Sequence, residues 1–390
     1  MNVRLSLSIA LVVLLLAGCA SVEKEDAALR EAIKPIKEKF APDRRVALFD
    51  IEWERKGSAL VVKGQVEDPA AKRETFEAVK NIVGGEVLDS IRLLPDPLLG
   101  DRQFGIVTVS VANMRSKPAQ SAELATQVLM GMVVKLLKEE NGWYYVQSHD
   151  KYLAWLEDDA MQIVDQAGVN AWADTEKVIV TEQYGVVREK TNQDALRVSD
   201  LVVGCMLKKK GVRGSWVEVE LPDGTKGFVE RTSAIEYDTW KASRRLTAEN
   251  VEKVAKAFLG VPYLWGGTSV KGMDCSGFTK TVFRLNGLEL NRDANQQATM
   301  GEDVFIGDEF QGLQKGDLLF FGRKATPERP ERITHVGIYL SNKEFIHSPG
   351  GARVRFNSFD PTAPNFSEGL LKSFVRAGRV IPSMKVKEVG

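Results

Sequence analysis

The chain has 390 residues, of which 53 are basic and 53 acidic, so its formal net charge at pH 7 is zero. This balance gives no electrostatic reason to expect binding to nucleic acid, and the length is sufficient for two to four domains. The sequence contains three cysteines and three histidines, so few side chains compete for a catalytic role and a disulfide framework is not expected.

The first residues indicate export. Arg4 precedes an almost wholly apolar run over residues 5–17, which is followed by Gly18 and Cys19. This run is shorter than the roughly 20 residues of a membrane-spanning helix, so residues 1–19 are predicted to be a secretory signal. The segment resembles a bacterial lipobox, which implies cleavage before Cys19 and lipid attachment to its thiol, although an ordinary signal peptide with an incidental cysteine is the alternative. Ala20 stands where an inner-membrane retention signal has Asp, which favours the outer membrane in a cell with two membranes.

Residues 20–98 are predicted to form a small α+β domain. A charged, Ala-rich tether over residues 20–34 leads into a pattern of helix, strand, strand, helix and strand. The first two strands are expected at 47–51 and 59–66, and a helix at 70–82 precedes the last strand at 87–94. The module resembles BON domains, and residues 95–101 are predicted to be a linker.

Residues 102–240 show many short strand patterns separated by turn signals. Two similar halves, 102–165 and 166–240, each carry a Trp-bearing strand, a turn, and a strand with Gly or an aromatic residue. They resemble tandem bacterial SH3-like barrels. Their tryptophans belong either to a binding surface or to the barrel cores. Cys205 lies in an apolar strand pattern and is predicted to be a buried small hydrophobic residue.

Residues 245–384 contain the residue types of a thiol hydrolase. Thr247 is a plausible N-cap for a helix over 248–259, and a second helix is predicted to begin near Cys275 and to bury Phe278 and Val282. The unpaired N–H groups and the dipole at a helix start favour negative charge, so this position is expected to lower the pKa of the thiol. The same N–H groups can donate to an oxyanion at an attacked carbonyl.

Two histidines are predicted to face this thiol. An alternating strand pattern follows His335, and His347 ends the expected return strand. If the loop is centred on Ser341, the two histidines lie directly opposite each other, with Cβ atoms about 5 Å apart, and Gly337 leaves space in front of the imidazole. One nitrogen of His335 then contacts His347 and the other faces Cys275, as a nucleophile, its base and an orienting group require. Metal binding by these three residues is the alternative, and no fourth ligand motif is seen.

The motifs around these residues resemble those of the NlpC/P60 cysteine peptidases, which are papain-like enzymes that cut peptidoglycan stem peptides. The resemblance implies an α+β, papain-like catalytic domain with Cys275 as nucleophile, His335 as base and His347 as the orienting residue. The matching segments are 263–267 (YLWGG), 274–278 (DCSGF), Arg292-Asp293 with Gln297, 315–321 (KGDLLFF), 335–339 (HVGIY) and His347.

The whole arrangement is similar to that of the γ-D-glutamyl-L-diamino-acid endopeptidases, which release L-Ala-γ-D-Glu from stem peptides with a free N-terminal L-Ala. The resemblance implies that the first barrel closes one end of the cleft, where a buried ammonium needs carboxylate and phenol acceptors. Asp274 could also cap its own helix. The residues expected to bind the substrate are Glu123, Tyr152, Tyr263 and Asp274 near the ammonium, and Ser276 near the γ-linked D-Glu.

The expected reaction is acyl transfer through a thioester, with no cofactor and no metal, by a monomer attached to a membrane through its lipid anchor. Three alternatives remain open. The protein could hydrolyse intact cell wall, with the barrels as wall anchors; it could be a non-catalytic lipoprotein that tethers the envelope; or it could be an acyltransferase on the same scaffold. The sequence does not distinguish diaminopimelate from lysine at the third position of the stem.

Overall fold

A computed structural model describes the backbone of residues 3–382 and the side chains of residues 22–382. The predicted lipidation of Cys19 lies outside the residues whose side chains are described. The chain divides into two compact units, residues 1–100 with 151–153 and residues 101–150 with 154–390. Within the described part of the chain, no helix has the length and apolar character needed to cross a membrane.

The first unit is a three-stranded sheet with two helices. Its elements are α1 (Val3–Phe40), β1 (Phe49–Lys56), β2 (Ala59–Val66), α2 (Pro69–Lys80) and β3 (Val87–Leu93). Strands β1 and β2 form an antiparallel hairpin, and α2 crosses over so that β3 pairs parallel to β2. The order of elements is the predicted one, but residues 22–34, which were predicted to be a tether leading into a helix, belong to helix α1 itself. Leu29 explains this difference, because its fully buried side chain packs in the core of the unit.

The second unit begins with two seven-stranded sheets. The first contains β4 (Phe104–Val107), β5 (Val111–Arg115), β6 (Leu124–Leu129), β7 (Val133–Glu140), β8 (Trp143–Gln147), β9 (Leu153–Glu157) and β10 (Met161–Val164). After α3 (Gln166–Asp174), the second contains β11 (Lys177–Val180), β12 (Tyr184–Arg188), β13 (Arg197–Val202), β14 (Met206–Arg213), β15 (Trp216–Glu220), β16 (Lys226–Glu230) and β17 (Ala234–Glu236), and α4 (Tyr237–Ser243) follows.

The two sheets have the same topology. The strand order is β10-β4-β7-β8-β9-β5-β6 in the first sheet and β17-β11-β14-β15-β16-β12-β13 in the second, so corresponding strands occupy corresponding places. Trp143, Trp155 and Trp216 are all buried, which favours core packing over a binding surface for these tryptophans. Cys205 is fully buried in the second sheet's core and has a free thiol, as predicted.

The rest of the second unit packs helices against a six-stranded sheet of order β20-β25-β21-β22-β23-β24. Its elements are α5 (Ala248–Ala257), β18 (Thr268–Ser269), β19 (Gly272–Met273), α6 (Cys275–Leu285), α7 (Ala294–Gln297), β20 (Glu302–Asp303), β21 (Leu318–Arg323), β22 (Arg332–Ser341), β23 (Glu344–His347), β24 (Arg355–Ser358), α8 (Glu368–Ser373) and β25 (Phe374–Arg379). Helix α6 starts at Cys275 and buries Phe278 and Val282, as predicted, and it packs on strand β22. The Thr247 side chain caps α5 by accepting the N–H of Asn250 at 3.2 Å.

The register of the β22–β23 hairpin differs from the predicted one. Ile338 pairs with Ile346, so the register is displaced by two residues and His335 is not directly opposite His347. The reason is the turn, because Asn342 and Lys343 both have positive φ and form a tight two-residue turn next to a bulge. A displacement of two keeps both histidines on the same face of the sheet, since side chains alternate with period two.

Candidate active site

Cys275 occupies the first position of helix α6, at the end of a tightly packed loop. Asp274 caps the helix, because its Oδ1 accepts the N–H of Gly277 at 2.7 Å. The N–H of Cys275 has no partner inside the helix, since the donors of a first turn have none, so it can donate to an oxyanion. Only glycine fits at 277, because a Cβ there would lie 2.0 Å from the carbonyl oxygen of Gly267. The loop 263–267 therefore lies directly against the helix start, and the N–H of Gly266 bonds Asp274 Oδ2.

Gln297 bonds the first turn of helix α6. It belongs to the matching motif, but no role for it was predicted from the sequence. Its Nε2 donates to the carbonyls of Ser276 at 3.0 Å and Asn291 at 2.9 Å. Its Oε1 accepts from the hydroxyl of Thr279 at 2.7 Å. Gln297 is fully buried, so these bonds satisfy groups that would otherwise be costly to bury, and they fix the first turn of α6.

The two predicted histidines form a hydrogen-bonded pair beside the thiol. His335 Nε2 and His347 Nδ1 are 2.7 Å apart, and the rings meet nearly at right angles. His347 is fully buried, whereas His335 is partly exposed. The main-chain N–H of Val336, the residue after His335, lies close enough to the sulfur of Cys275 to lower the pKa of the thiol. The structure therefore brings the three residues together, and their catalytic roles stay a prediction.

Asn357 extends this row of side chains and was missed from the sequence. Its Oδ1 lies 2.9 Å from His347 Nε2, and its Nδ2 donates to the carbonyl of Asn365 at 2.8 Å. Asn357 lies on β24, two residues after Arg355, which pairs directly with His347. Knowledge of this third strand's register would have placed Asn357 on the face of the histidines, but the sequence offers no local signal for that register.

Burial has the largest effect on the pKa values of the Cys275 thiol and the His335 imidazole. It raises the pKa of Cys275 to about 12, with a further contribution from the charge of Asp274, while the N–H of Val336 acts in the opposite direction. Burial also lowers the pKa of His335 to about 3. The helix start acts in the predicted direction, since the main-chain N–H of Ser276 lowers the pKa of the thiol, but burial has the larger effect and the net pKa is raised. Proton transfer from thiol to imidazole creates two adjacent charges that stabilise each other.

The loss of activity at acidic pH should accordingly occur well below the pH at which an ordinary histidine titrates. Burial lowers the pKa of His335 to about 3 and that of His347 to about 4, so both stay neutral where an exposed histidine, with a pKa of about 6.5, takes up a proton. We expect kcat/KM at about pH 5 to remain within threefold of its value at pH 7. Measurement of hydrolysis between pH 3.5 and 9 checks this, and an acid limb centred near 6.5 would contradict it.

Denaturant unfolding at each pH is the control for that profile. Below about pH 6.5 the unfolded chain binds protons at two imidazoles that the folded chain keeps neutral, so stability should fall as the pH drops from about 6.5 towards 4. The sign follows because the unfolded state then binds more protons than the folded state. Activity divided by the folded fraction separates protonation of the base from acid unfolding.

Arg292 neutralises the carboxylate next to the thiol. The guanidinium is almost fully buried and donates to both oxygens of Asp274, at 3.1 and 2.7 Å. It also donates to the hydroxyls of Ser276 at 3.0 Å and Thr126 at 3.0 Å. Asp274 accepts the N–H of Gly266 at 2.9 Å as well. A substrate ammonium at Asp274 would therefore share this carboxylate with Arg292, and Ser276 lies beside it as a buried hydroxyl.

The first seven-stranded sheet contacts the loop that precedes the thiol. Glu123, just before β6, accepts the indole N–H of Trp265 at 2.7 Å. Gln127 accepts from the N–H of Thr268 at 2.9 Å and from the hydroxyl of Ser269 at 3.2 Å. The Glu123 side chain is exposed, and its second oxygen bonds none of the described residues. The predicted amine acceptor is thus held next to the loop 263–267, and its role stays a prediction.

The two tyrosines are placed differently. Tyr263 is partly buried near the thiol, and burial, with the charges of Cys275 and Asp274, raises the pKa of its hydroxyl to about 12. Its phenol therefore stays neutral and can donate or accept. Tyr152 is buried in the segment 151–153, which groups with the first unit, and its predicted contact with the substrate amine stays a prediction.

In the described part of the chain, no group of three His, Cys, Asp or Glu side chains has an arrangement that could hold a metal ion.

A buried thiol at a helix start, beside a strand that carries a pair of bonded imidazoles, is the arrangement of a cysteine hydrolase. Comparison with known proteins agrees. The profile of the NlpC/P60 family matches residues 260–367, and that of the bacterial dipeptidyl-peptidase Sh3 domain matches residues 114–161. Dipeptidyl-peptidase 6 of Lysinibacillus sphaericus is 28% identical over 282 residues, which cover 70% of this chain and 98% of that protein.

Two further relatives extend the comparison. The γ-D-glutamyl-L-lysine dipeptidyl-peptidase of Bacillus subtilis (strain 168) is 31% identical over 234 residues, 58% of this chain and 72% of that protein. The crystal structure of an NlpC/P60 family protein from Bacillus cereus ATCC 10987 has a TM-score of 0.61 at 22% identity, covering 72% of this chain and all of that one, which shows a common fold. The chain belongs to the NlpC/P60 family of cysteine peptidases.

Proposed function

We propose that this protein hydrolyses the bond between γ-D-Glu and the L-diamino acid in peptidoglycan stem peptides that have a free N-terminal L-Ala. The observation that carries the proposal is the thiol of Cys275 at a helix start, next to the bonded pair His335 and His347. Membership of the NlpC/P60 family supports a peptidase, and the names of the relatives support this particular bond.

The reaction would proceed through a thioester. His335 takes the proton of Cys275, and the sulfur attacks the γ-carbonyl of D-Glu while the N–H of Cys275 donates to the oxyanion. The C–N bond then breaks, and His335 gives its proton to the leaving amine of the diamino acid. Water, deprotonated by the same imidazole, attacks the thioester, and cleavage of the C–S bond releases L-Ala-γ-D-Glu and restores the thiol.

The first seven-stranded sheet would supply the residue that selects substrates with a free amine. Glu123 is fixed by the indole of Trp265, two residues after Tyr263, so a carboxylate and a neutral phenol belong to one rim of the site. A carboxylate with one unoccupied oxygen is a suitable acceptor for an ammonium group. Asp274 is a weaker candidate for this role, because Arg292 already balances its charge.

We expect cleavage of L-Ala-γ-D-Glu-diamino acid, with either diaminopimelate or lysine, and no cleavage of its N-acetylated form. Glu123→Gln should lower kcat/KM for the free peptide by about 10- to 100-fold, because a hydrogen bond to a charged group contributes roughly 1.5–3 kcal/mol. Mass spectrometry of released L-Ala-γ-D-Glu measures this. Glu140→Gln is the matched control, since Glu140 is an exposed carboxylate at the end of β7 in the same sheet.

Each other outcome has a definite meaning. Equal cleavage of the free and acetylated peptides would exclude amine recognition by Glu123 and would favour hydrolysis of intact cell wall. No cleavage of either peptide, together with a Cys275 thiol that does not react with alkylating reagents, would exclude the enzyme and leave a tethering role.

The remaining domains are part of the same proposal. The identical strand order of the two sheets supports tandem SH3-like barrels at 102–165 and 166–240, before a peptidase domain at 245–384. The helix, strand, strand, helix, strand order supports a BON-like module within residues 20–98. A lipid on Cys19, after removal of the signal at 1–18, would attach a monomer to the outer membrane, facing the periplasm.

A further inference from the structure

We infer that Asn357 is a positioning residue that selects the tautomers of both histidines, so that Nδ1 of His335 is left as the base for Cys275. This inference rests on the proposed roles of the three residues and adds a fourth member to them. Its basis is a continuous row of hydrogen bonds that runs from the carbonyl of Asn365, through Asn357 and His347, to His335.

The orientation of the Asn357 amide is fixed by two neighbours. Its Nδ2 lies 2.8 Å from the carbonyl oxygen of Asn365, which can only accept a hydrogen bond. The Nε–H of Arg355, which can only donate, lies 3.2 Å from Oδ1. Both contacts require the amide nitrogen to point towards Asn365 and the oxygen towards Arg355 and His347. Asn357 is itself buried, so water does not offer it other partners freely.

This orientation determines where the protons of the imidazoles lie. The Asn357 oxygen accepts, so the proton of His347 must lie on Nε2, 2.9 Å away. A neutral imidazole has one N–H, and burial keeps His347 neutral, so its Nδ1 has a lone pair. That lone pair can only accept, so His335 donates through its Nε2 across 2.7 Å. The lone pair of His335 is then on Nδ1, the nitrogen that can take the proton of the thiol.

Without Asn357, no acceptor fixes which ring nitrogen of His347 carries the proton. His347 could then carry its proton on Nδ1 and donate it to His335 Nε2, which would move the proton of His335 to Nδ1. That tautomer would present an N–H to the thiol of Cys275 and could not accept its proton. The charged groups that face the pair do not prevent the reversal, because Arg355 on β24 is a donor and Cys275 on α6 is neutral at rest.

The test combines a spectroscopic and a kinetic measurement on the full-length protein. The chain has three histidines, so imidazole ¹⁵N resonances are few, and His149 serves as an internal reference away from the row. We expect the unsubstituted protein to show His347 protonated on Nε2. Asn357→Leu should leave only a small fraction of His347 protonated on Nε2 and lower kcat on the order of 10–100-fold, the effect typical of groups that orient a metal-bound histidine, with KM within about twofold.

Two further variants separate this role from a structural one. Asn357→Asp keeps an oxygen opposite His347 Nε2 but loses the donor to the carbonyl of Asn365, so it should retain the Nε2–H tautomer and more of kcat than Asn357→Leu. Asn286→Leu is the matched control, because Asn286 is an equally buried asparagine that bonds a carbonyl at the end of α6, and it should lower Tm without changing the tautomers.

The inference is overturned if His347 carries its proton on Nδ1 in the unsubstituted protein, or if Asn357→Leu leaves tautomer and kcat unchanged. The NMR measurement needs no substrate, so it is decided even if the proposed peptide is not cleaved. Failure of the proposed function would instead appear as absence of hydrolysis with the expected tautomers intact. If Asn357→Leu does not fold, the tautomer of His347 in the unsubstituted protein still decides, because a proton on Nδ1 contradicts the inference.

Discussion

Replacement of Cys275 by alanine should abolish hydrolysis of the stem peptide, with a fall in kcat of at least about ten-thousand-fold, as for removal of a nucleophile in other hydrolases. The thiol is the group that would form the acyl intermediate, and the neighbouring hydroxyl of Ser276 in α6 is already bonded to Asp274 and Arg292. Removing it leaves the oxyanion donor and the substrate-binding groups, which by themselves give little catalysis. The measurement is release of L-Ala-γ-D-Glu under single-turnover conditions.

Cys205→Ala is the matched control for this variant. Cys205 is the other described cysteine with a free thiol, and it is fully buried in the core of the second seven-stranded sheet. Burial raises its pKa to about 12, and it has no histidine to take its proton. Its replacement should leave kcat within about twofold, with a fall in stability of roughly 1 kcal/mol from the lost side-chain volume.

Alkylation gives a second measurement that does not depend on the peptide. Iodoacetamide should label Cys275 in the folded protein and should leave Cys205 unlabelled, because only Cys275 lies beside a base that can take the thiol proton. His335→Ala should slow the labelling of Cys275 without exposing Cys205. Retained hydrolysis in Cys275→Ala, or equal labelling of the two thiols, would refute the assignment of the nucleophile.

Replacement of Arg292 by methionine should destabilise the fold by about 3–5 kcal/mol, because it leaves a buried carboxylate without its partner. Arg292 is only 2% exposed and forms a two-pronged pair with Asp274, which is 6% exposed. It also bonds Thr126 of the first sheet, so the loss should extend to the contact between that sheet and the loop before the thiol. Urea or thermal unfolding of the variant measures the change.

A double-mutant cycle separates the charge from the packing. If the unpaired charge causes the loss, Arg292→Met with Asp274→Asn should be more stable than Arg292→Met alone, because the remaining polar group is neutral. Arg213→Met is the control, since Arg213 forms a largely exposed pair with Glu218 and its loss should cost less than about 1 kcal/mol. A loss at Arg292 no larger than that at Arg213 would show that solvent reaches the Asp274 carboxylate.

Local patterns in the sequence were sufficient for the parts of the site that depend on short-range structure. A polar capping residue followed by a helical apolar pattern placed Cys275 at a helix start, and Asp274 does cap that helix. The alternation around His335 and His347 placed both side chains on one face of a hairpin. That conclusion survived a register displaced by two residues, because a displacement of two does not change the face.

The tertiary structure decided the features that join distant parts of the chain. Thr126 and Arg292 bond across 166 positions of sequence, and the register of β24 sets which side chain follows His347. Burial raises the pKa of Cys275 and lowers that of His335, and it depends on how distant segments pack around these residues. Capping and alternation are fixed by neighbours a few residues away and therefore appear in the sequence. Long-range pairing and desolvation depend on which surfaces meet in the fold, so they leave no local pattern to read.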